Sequence, residues 1–226
     1  HESLRQGLAL SLRAAIDIGG TFTDVQVLDE RDGRQYEFKV PTTPDDPSIG
    51  LIEGVTAAAG ALGFPLDAVK LVVHGTTIAT NAVLERRFPD CALITTRGFE
   101  DVLEIGRHMR RDVYGLCAEE RTLLLPRHRR FGVTERITYD GGVLTPLDEE
   151  EAAALAARIA AMGIKAVAVC TLHAYANGAH ERRLRELLLS VDPQMDVSLS
   201  CEISPELREY ERLSTTVLNA LLMPVV

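Results

Sequence analysis

Residues 17–24 read DIGGTFTD, two glycines and two threonines held between Asp17 and Asp24. Ahead of them Ala14, Ala15, Ile16 and Ile18 form a short apolar run; behind them Val25, Val27 and Leu28, with Gln26 between, follow a strand-like alternation. The pattern predicts a strand, a tight turn and a second strand. Gly19 and Gly20 reach backbone angles closed to other residues and bring N–H groups up to an anion with no Cβ in the way. Thr21 and Thr23 add hydroxyl donors, so these four residues are the candidate phosphate contacts. Asp17 and Asp24 would repel phosphate directly; the partner that suits them is a hydrated Mg²⁺ bridging to it, and they are the candidate catalytic and metal-facing carboxylates. The stretch is neither a P-loop, which needs GxxxxGK[ST] before a helix, nor a dinucleotide fingerprint, which needs GxGxxG opening one. A bare glycine pair between strands is commonly an ordinary hairpin turn; the flanking acids favour the phosphate reading.

A second candidate lies in HGTTIATNAVLERR, residues 74–87, where the apolar run Leu71, Val72, Val73 gives way to a helix expected from about Ile78 to Arg87. Gly75, Thr76 and Thr77 would expose N–H groups at the start of that helix, where unpaired donors and the macrodipole favour anions. With Asn81 they form a candidate substrate or phosphate contact. The bland alternative is that Thr76 or Thr77 simply caps the helix. His74 ends a strand expected to be buried, where a histidine is more often a satisfied core residue than a ligand or base. His173 has the same reading, and His108 and His128 fall in basic stretches. No HExxH pattern is present.

Four stretches, DIGGTFTD (17–24), HGTTIATNAVLERR (74–87), ITTRGFEDVLEIGR (94–107) and the segment from RRFGVTERI to GGVLTPLDE (129–149), resemble the N-terminal region of the hydantoinase A/5-oxoprolinase family. A fifth, SPELREYERLSTTVLNALLMPVV, closes the chain. The resemblance implies an α/β fold, one lobe of an actin-like (ribonuclease H-like) ATPase with a mixed sheet, followed by a small α/β subdomain. It implies ATP and Mg²⁺ as cofactors and an ATP-dependent attack on a cyclic amide such as a hydantoin or 5-oxoproline. Some relatives use the same phosphoryl transfer to carboxylate ketones. A second, hydantoinase B-like subunit is the implied partner. In that family the polypeptide continues into a larger region with the second phosphate motif and the adenosine pocket, so these residues would supply one wall of the cleft and have little activity alone. A sugar-kinase-like phosphotransferase and a non-catalytic nucleotide-binding or assembly module are the competing readings. The former needs a general-base Asp for which no matching motif is found.

Composition sets the outer bounds. The chain has 226 residues and a formal charge of −9, against the basic excess of a general nucleic-acid binder. Basic clusters at 107–111 and 127–130 are read first as solvated faces or internal ion pairs, with contact to an anionic substrate or to the rest of the enzyme as the alternative. Cys91, Cys117, Cys170 and Cys201 are scattered without a CxxC pair, as expected of reduced, mostly buried thiols in a cytoplasmic protein. No run approaches the roughly 18–20 apolar residues of a membrane span.

The order of elements predicts the same lobe. Strands at about 14–18, 23–30 and 34–40, the last two joined across Asp32-Gly33, precede a helix opening at Asp46-Pro47 and closing before Gly63. Strand and helix then alternate to about residue 106. The expected division is 1–12 as a leader or tag, 13–106 as the actin-like lobe, 107–146 as an insertion or connecting arm, and 147–226 as the α/β subdomain. Within the last, Asp148 with Glu151 has capping-box spacing, Asn177 caps a helix, and Ser204-Pro205 opens a long amphipathic helix to 222. That helix is apolar enough to suggest a homodimer face.

Overall fold

The computed structural model describes residues 11–43, 47–108, 114 and 123–225. The chain forms two compact units, His1–Arg87 and Phe88–Val226. Asp46, Cys117 and much of the 107–111 cluster lie outside the described residues.

In the first unit β1 (Leu12–Ile18), β2 (Phe22–Asp29) and β3 (Gln35–Pro41) precede α1 (Pro47–Leu62), β4 (Val69–Thr76) and α2 (Ile78–Glu85). The sheet order is β3-β2-β1-β4, with β1 antiparallel to β2 and parallel to β4. This is the mixed sheet of an actin-like lobe. Alternation is strict in β1 and nearly so in β2: Leu12, Ala14, Ile16 and Ile18 on β1 and Val25 and Val27 on β2 face α1, leaving Arg13, Asp17, Asp24 and Gln26 on the open face. Leu12, counted above with the leader, is thus the first buried residue of the sheet. Helix α1 comes down close because it presents glycine to the sheet: a Cβ at Gly54 would stand 2.7 Å from Val25 Cγ2. The β2–β3 hairpin turns at Asp32-Gly33 as its sequence predicts, with Gly33 at φ 71° and its N–H donating to Asp29 O at 2.9 Å.

Strand β4 departs from expectation. Its Leu71, Val72 and Val73 read as a buried run, yet they are 45, 46 and 56% exposed. β4 is the edge of the sheet, and α1 packs on β1, β2 and β3. His74 is likewise exposed, not a core histidine.

The second unit is a doubly wound α/β unit. Its elements are β5 (Cys91–Thr96), α3 (Val102–Ile105), β6 (Arg130–Val133), the hairpin β7 (Arg136–Ile137) and β8 (Val143–Thr145), and α4 (Glu149–Ala161). β9 (Ala166–Cys170), α5 (Ala179–Val191), β10 (Asp196–Leu199), α6 (Ser200–Ile203) and α7 (Glu209–Leu222) follow. The sheet order is β10-β9-β5-β6, parallel throughout. One face packs Ile94, Val167 and Val169 under Ile159 of α4 and Leu184 and Leu188 of α5. The other packs Leu93, Ala166 and Ala168 under Leu103 of α3 and Val217 and Leu221 of α7.

This layout moves the expected boundaries. Cys91–Thr96 pairs with β9 and β6, so the first unit ends at Arg87 and not near 106. Arg130–Val133, assigned to a connecting arm, is a sheet strand of the second unit. Its cluster is internally paired: Arg130 is buried, bonding Leu125 O and Glu104, while Arg127 meets Asp101 at 2.7 Å and Arg129 meets Asp90. The final helix starts at Glu209, not Pro205, because Arg208 sits at φ 83°, outside helical geometry. Its apolar face is covered by β9 and β10 within the unit, which removes the reason for expecting a homodimer through it. Asp148 caps α4 as expected, its Oδ1 accepting from Glu151 N at 3.0 Å. The Glu151 carboxylate turns to Thr134 N and Arg97 instead of back to the cap, so the capping box is half formed.

Candidate functional site

The turn between β1 and β2 is tight. Gly19 N–H donates to Phe22 O at 3.0 Å, and a Cβ at Gly19 would meet that same oxygen at 2.9 Å, so only glycine fits. Gly20 and Thr21 form its exposed tip. Thr23 does not join them. It is fully buried on the α1 side, with its hydroxyl 3.0 Å from that of Thr42, which in turn donates to Gly19 O at 2.9 Å. Its expected phosphate contact is corrected accordingly: the side chain fastens the turn from beneath. Its parity with Val25 and Val27 in the alternation carried that signal.

The second motif meets the first. Thr77 N donates to Ile18 O at 3.2 Å and Thr76 Oγ1 donates to the same oxygen at 3.3 Å, stitching the β4–α2 junction to the end of β1. Thr76 Oγ1 also accepts from Ile78 N, while Thr77, the residue before the helix, makes no side-chain cap. Asn81, one turn into α2, donates to Thr77 Oγ1 at 3.3 Å, and its Nδ2 lies 3.5 Å from where a Cβ on Gly20 would stand. Gly20 and Asn81 are therefore neighbours although 61 residues separate them in the sequence. α2 closes at Arg86, in the left-handed region at φ 54°.

On the open face the register lines up Gly75, Asp17, Asp24 and Lys39 in one row across the four strands. Asp24 is paired, its Oδ1 lying 3.1 Å from Lys39 Nζ, and that ammonium also sits 5.2 Å from the Phe22 ring centre. Among the described residues Asp17 has no hydrogen-bond or ion-pair partner. A groove of about 380 Å³ runs beside the row, lined by Asp17, Asp24, Gln26, Val73, His74 and Gly75 among others. Among the described residues no three His, Cys, Asp or Glu side chains converge to cage a metal. A free carboxylate beside backbone with no Cβ at Gly75 suits Mg²⁺, which keeps most of its water and takes one or two carboxylates with substrate phosphates. Lys39 carries no motif of its own, and a two-residue turn at Asp32-Gly33 would pair it with Gln26; the four-residue loop 30–33 shifts the register and puts it opposite Asp24.

The other concentration of polar groups lies at the carboxyl ends of β5 and β9, where the chain leaves in opposite directions to β6 and β10, the crevice in which doubly wound sheets bind ligands. Here the groups are engaged with one another. Thr96 Oγ1 accepts from Leu172 N at 2.9 Å and donates to Glu135, whose other oxygen meets His180 Nδ1 at 2.7 Å. Glu181 accepts from Thr171 N, Ser200 Oγ and Cys201 N at 2.6–2.8 Å. Arg212, with no exposed surface, donates to Thr171 O at 2.7 Å beneath the Tyr175 ring. His173, at φ 57°, has Nδ1 3.2 Å from Tyr175 OH. Cys91, Cys170 and Cys201 are free thiols, each pushed up to about 12 first by burial, which leaves them protonated and without nucleophilic use near neutral pH.

A glycine turn and a strand–helix junction converging on a carboxylate row, carried by a mixed sheet, are the arrangement of one lobe of the actin-like fold. Comparison with known proteins narrows the class. The hydantoinase/oxoprolinase N-terminal region matches residues 13–191, and the chain belongs to that family. It is 41% identical over 222 residues to an uncharacterized protein of Methanocaldococcus jannaschii, covering 97% of this chain and 32% of that one. It is 36% identical over 220 residues to caprolactamase subunit alpha of Pseudomonas jessenii, with 95% and 32% covered. The nucleotide-free structure of acetone carboxylase, from a study of ATP-dependent acetone carboxylation, superposes with a TM-score of 0.85 at 29% identity, covering 96% of this chain and 33% of that one. The chain thus spans about a third of the length of these relatives. Among the described residues no helix is long and apolar enough to cross a membrane.

Proposed function

We propose that this chain is the N-terminal part of an ATP-dependent enzyme that activates a carbonyl by phosphoryl transfer and opens a cyclic amide. The observation that carries the reading is the convergence of the Gly19–Phe22 turn and the Gly75–Asn81 junction beside Asp17, which has no partner among the described residues. In this reading Gly20 and Thr21 at the tip face phosphate, while Gly19 shapes the turn with its N–H spent on Phe22 O, contrary to the phosphate contact expected of it; Gly75, Thr76, Thr77 and Asn81 line the side facing phosphate or substrate, with the Thr77 N–H spent on Ile18 O. Asp17 holds the waters of Mg²⁺, with Asp24 beside it. A lactam resists hydrolysis because its amide is resonance-stabilised and its ring nitrogen is a poor leaving group. When bound, ATP would supply a phosphoryl group to the carbonyl oxygen, which removes that resonance so that water can attack the carbon and the ring C–N bond break with nitrogen leaving as the amine, and Mg²⁺ would offset the charge. The chain's own work is to position the reacting groups and to stabilise charge, which together account for most of the catalysis of phosphoryl transfer. The relative at 36% identity is a caprolactamase subunit, which favours a cyclic amide as substrate and a second subunit as partner. The likeness to acetone carboxylase supports a second reading, a ketone carboxylase subunit using the same activation. Cytoplasmic location belongs to the proposal.

The test is ATP hydrolysis by the full-length protein with its partner subunit, across lactams, hydantoins, 5-oxoproline and simple ketones. Stimulation by cyclic amides supports the main reading, stimulation by ketones alone selects the second, and stimulation by neither overturns both. Asp17→Asn is expected to abolish stimulated turnover; turnover at the original rate would remove the Mg²⁺ role. This chain alone is expected to bind ATP weakly, and sub-micromolar affinity by calorimetry would contradict that.

A further inference from the structure

We propose that Lys39 is a positioning residue that divides the labour of the carboxylate row, neutralising Asp24 so that Asp17 alone faces a metal–polyphosphate ligand. This rests on the phosphate reading of the site. Asp17 and Asp24 are direct cross-strand partners on the open face, which in an antiparallel pair puts their Cβ atoms roughly 5 Å apart. Two bare carboxylates at that spacing repel one another and any polyphosphate that approaches, by an amount that grows as water leaves the groove. β3 answers this one strand over. Its Lys39 is the register partner of Asp24, and the ammonium lies 3.1 Å from Asp24 Oδ1. The exposed Phe22 ring, two residues before Asp24 on the same face, flanks the ammonium at 5.2 Å and adds a cation–π contact to hold it there. Asp17 has no such partner among the described residues. The row therefore presents one carboxylate ready for a hydrated divalent ion and one already balanced, together with an ammonium that can donate to phosphate oxygen.

The arrangement makes two measurements move in opposite directions. In the full-length protein Lys39→Met removes the charge and keeps the stem. Binding of Mn²⁺ alone, read by the loss of its free electron-paramagnetic-resonance signal, is expected to tighten about fivefold, because two unbalanced carboxylates now face the ion. Binding of Mg²⁺–inorganic triphosphate, read by calorimetry, is expected to weaken about tenfold. Lys39→Arg keeps both near wild type, and adding Asp24→Asn to Lys39→Met restores most of the triphosphate binding. The unfolding midpoint should stay put in every variant, since Lys39 and Asp24 are both more than half exposed at the side chain. Mn²⁺ and triphosphate binding that stay unchanged or fall together in Lys39→Met overturn the proposal, as does a double variant no better than Lys39→Met. Failure of the wild-type protein to bind Mg²⁺–triphosphate overturns the phosphate reading itself. Wild-type binding that ignores Lys39→Met overturns only the division of labour.

Discussion

The open row of the first unit and the strand-end network of the second are both dense in polar side chains, and they treat them oppositely. Asp17 sits on an exposed sheet face with no partner among the described residues. Glu181 and Arg212 sit at the carboxyl ends of parallel strands, the usual place for a ligand, and are closed off by their own neighbours. A buried carboxylate with three donors is held because losing any of them strands the others without partners. An exposed carboxylate with none contributes little to the fold, and its charge is available to a ligand. Location at a favoured crevice therefore identifies a site less well than whether its polar groups are already satisfied.

The largest effect that would break this comparison belongs to Glu181. Glu181→Ala leaves Thr171 N, Ser200 Oγ and Cys201 N without an acceptor, and is expected to cost about 3 kcal/mol in urea unfolding. A loss below about 1 kcal/mol would mean that the network is not what holds the strand ends together. A pH series sharpens the point. Burial pushes the Glu181 carboxyl above its ordinary 4.5, so the fold takes up its proton more readily than the unfolded chain does. Its contribution is then fullest below pH 4.5 and is lost as pH rises through the raised value. Measured against Glu181→Gln, which does not titrate, the wild type should lose relative stability as the pH climbs from 4.5; the opposite slope would show that the three donors outweigh burial. On the open face Asp17→Asn should shift stability by no more than about 0.5 kcal/mol, whatever it does to turnover. The smallest effect is expected within the network itself. Among the described residues Thr171 Oγ1 is buried with no partner, so Thr171→Val should be close to neutral, and a clear loss in thermal unfolding would overturn that reading of the hydroxyl.

Much of this is legible in the sequence itself. The β1–β2 turn, the Asp32-Gly33 hairpin, Pro47 and Gly63 at the ends of α1, and Asp148 ahead of α4 are local, and each is written in residues whose backbone chemistry leaves few alternatives. The actin-like lobe came through the family resemblance more than through periodicity. What stayed hidden was non-local. Cys91–Thr96 is an apolar strand that reads equally well in either sheet, and only pairing with β6 and β9 assigns it to the second unit. Ser204-Pro205 is a good helix opening, overruled by the left-handed Arg208 three residues later. In the site, the proximity of the two motifs followed from a parallel β1–β4 pairing that no single stretch encodes. Thr23 differs in kind: the strand alternation already puts its side chain on the buried face, and only the chemistry of the motif points the other way.

Strand β4 carries a practical consequence. An edge that offers unpaired backbone donors and acceptors together with Leu71, Val72 and Val73 invites a neighbouring molecule to pair with it. Lys70 is the only Lys, Arg, Asp or Glu in the strand, and one ammonium is a thin barrier against stacking at high concentration. When this polypeptide is purified and concentrated by itself, the property that gives way first should be colloidal and not conformational: turbidity that climbs with concentration while circular dichroism stays native.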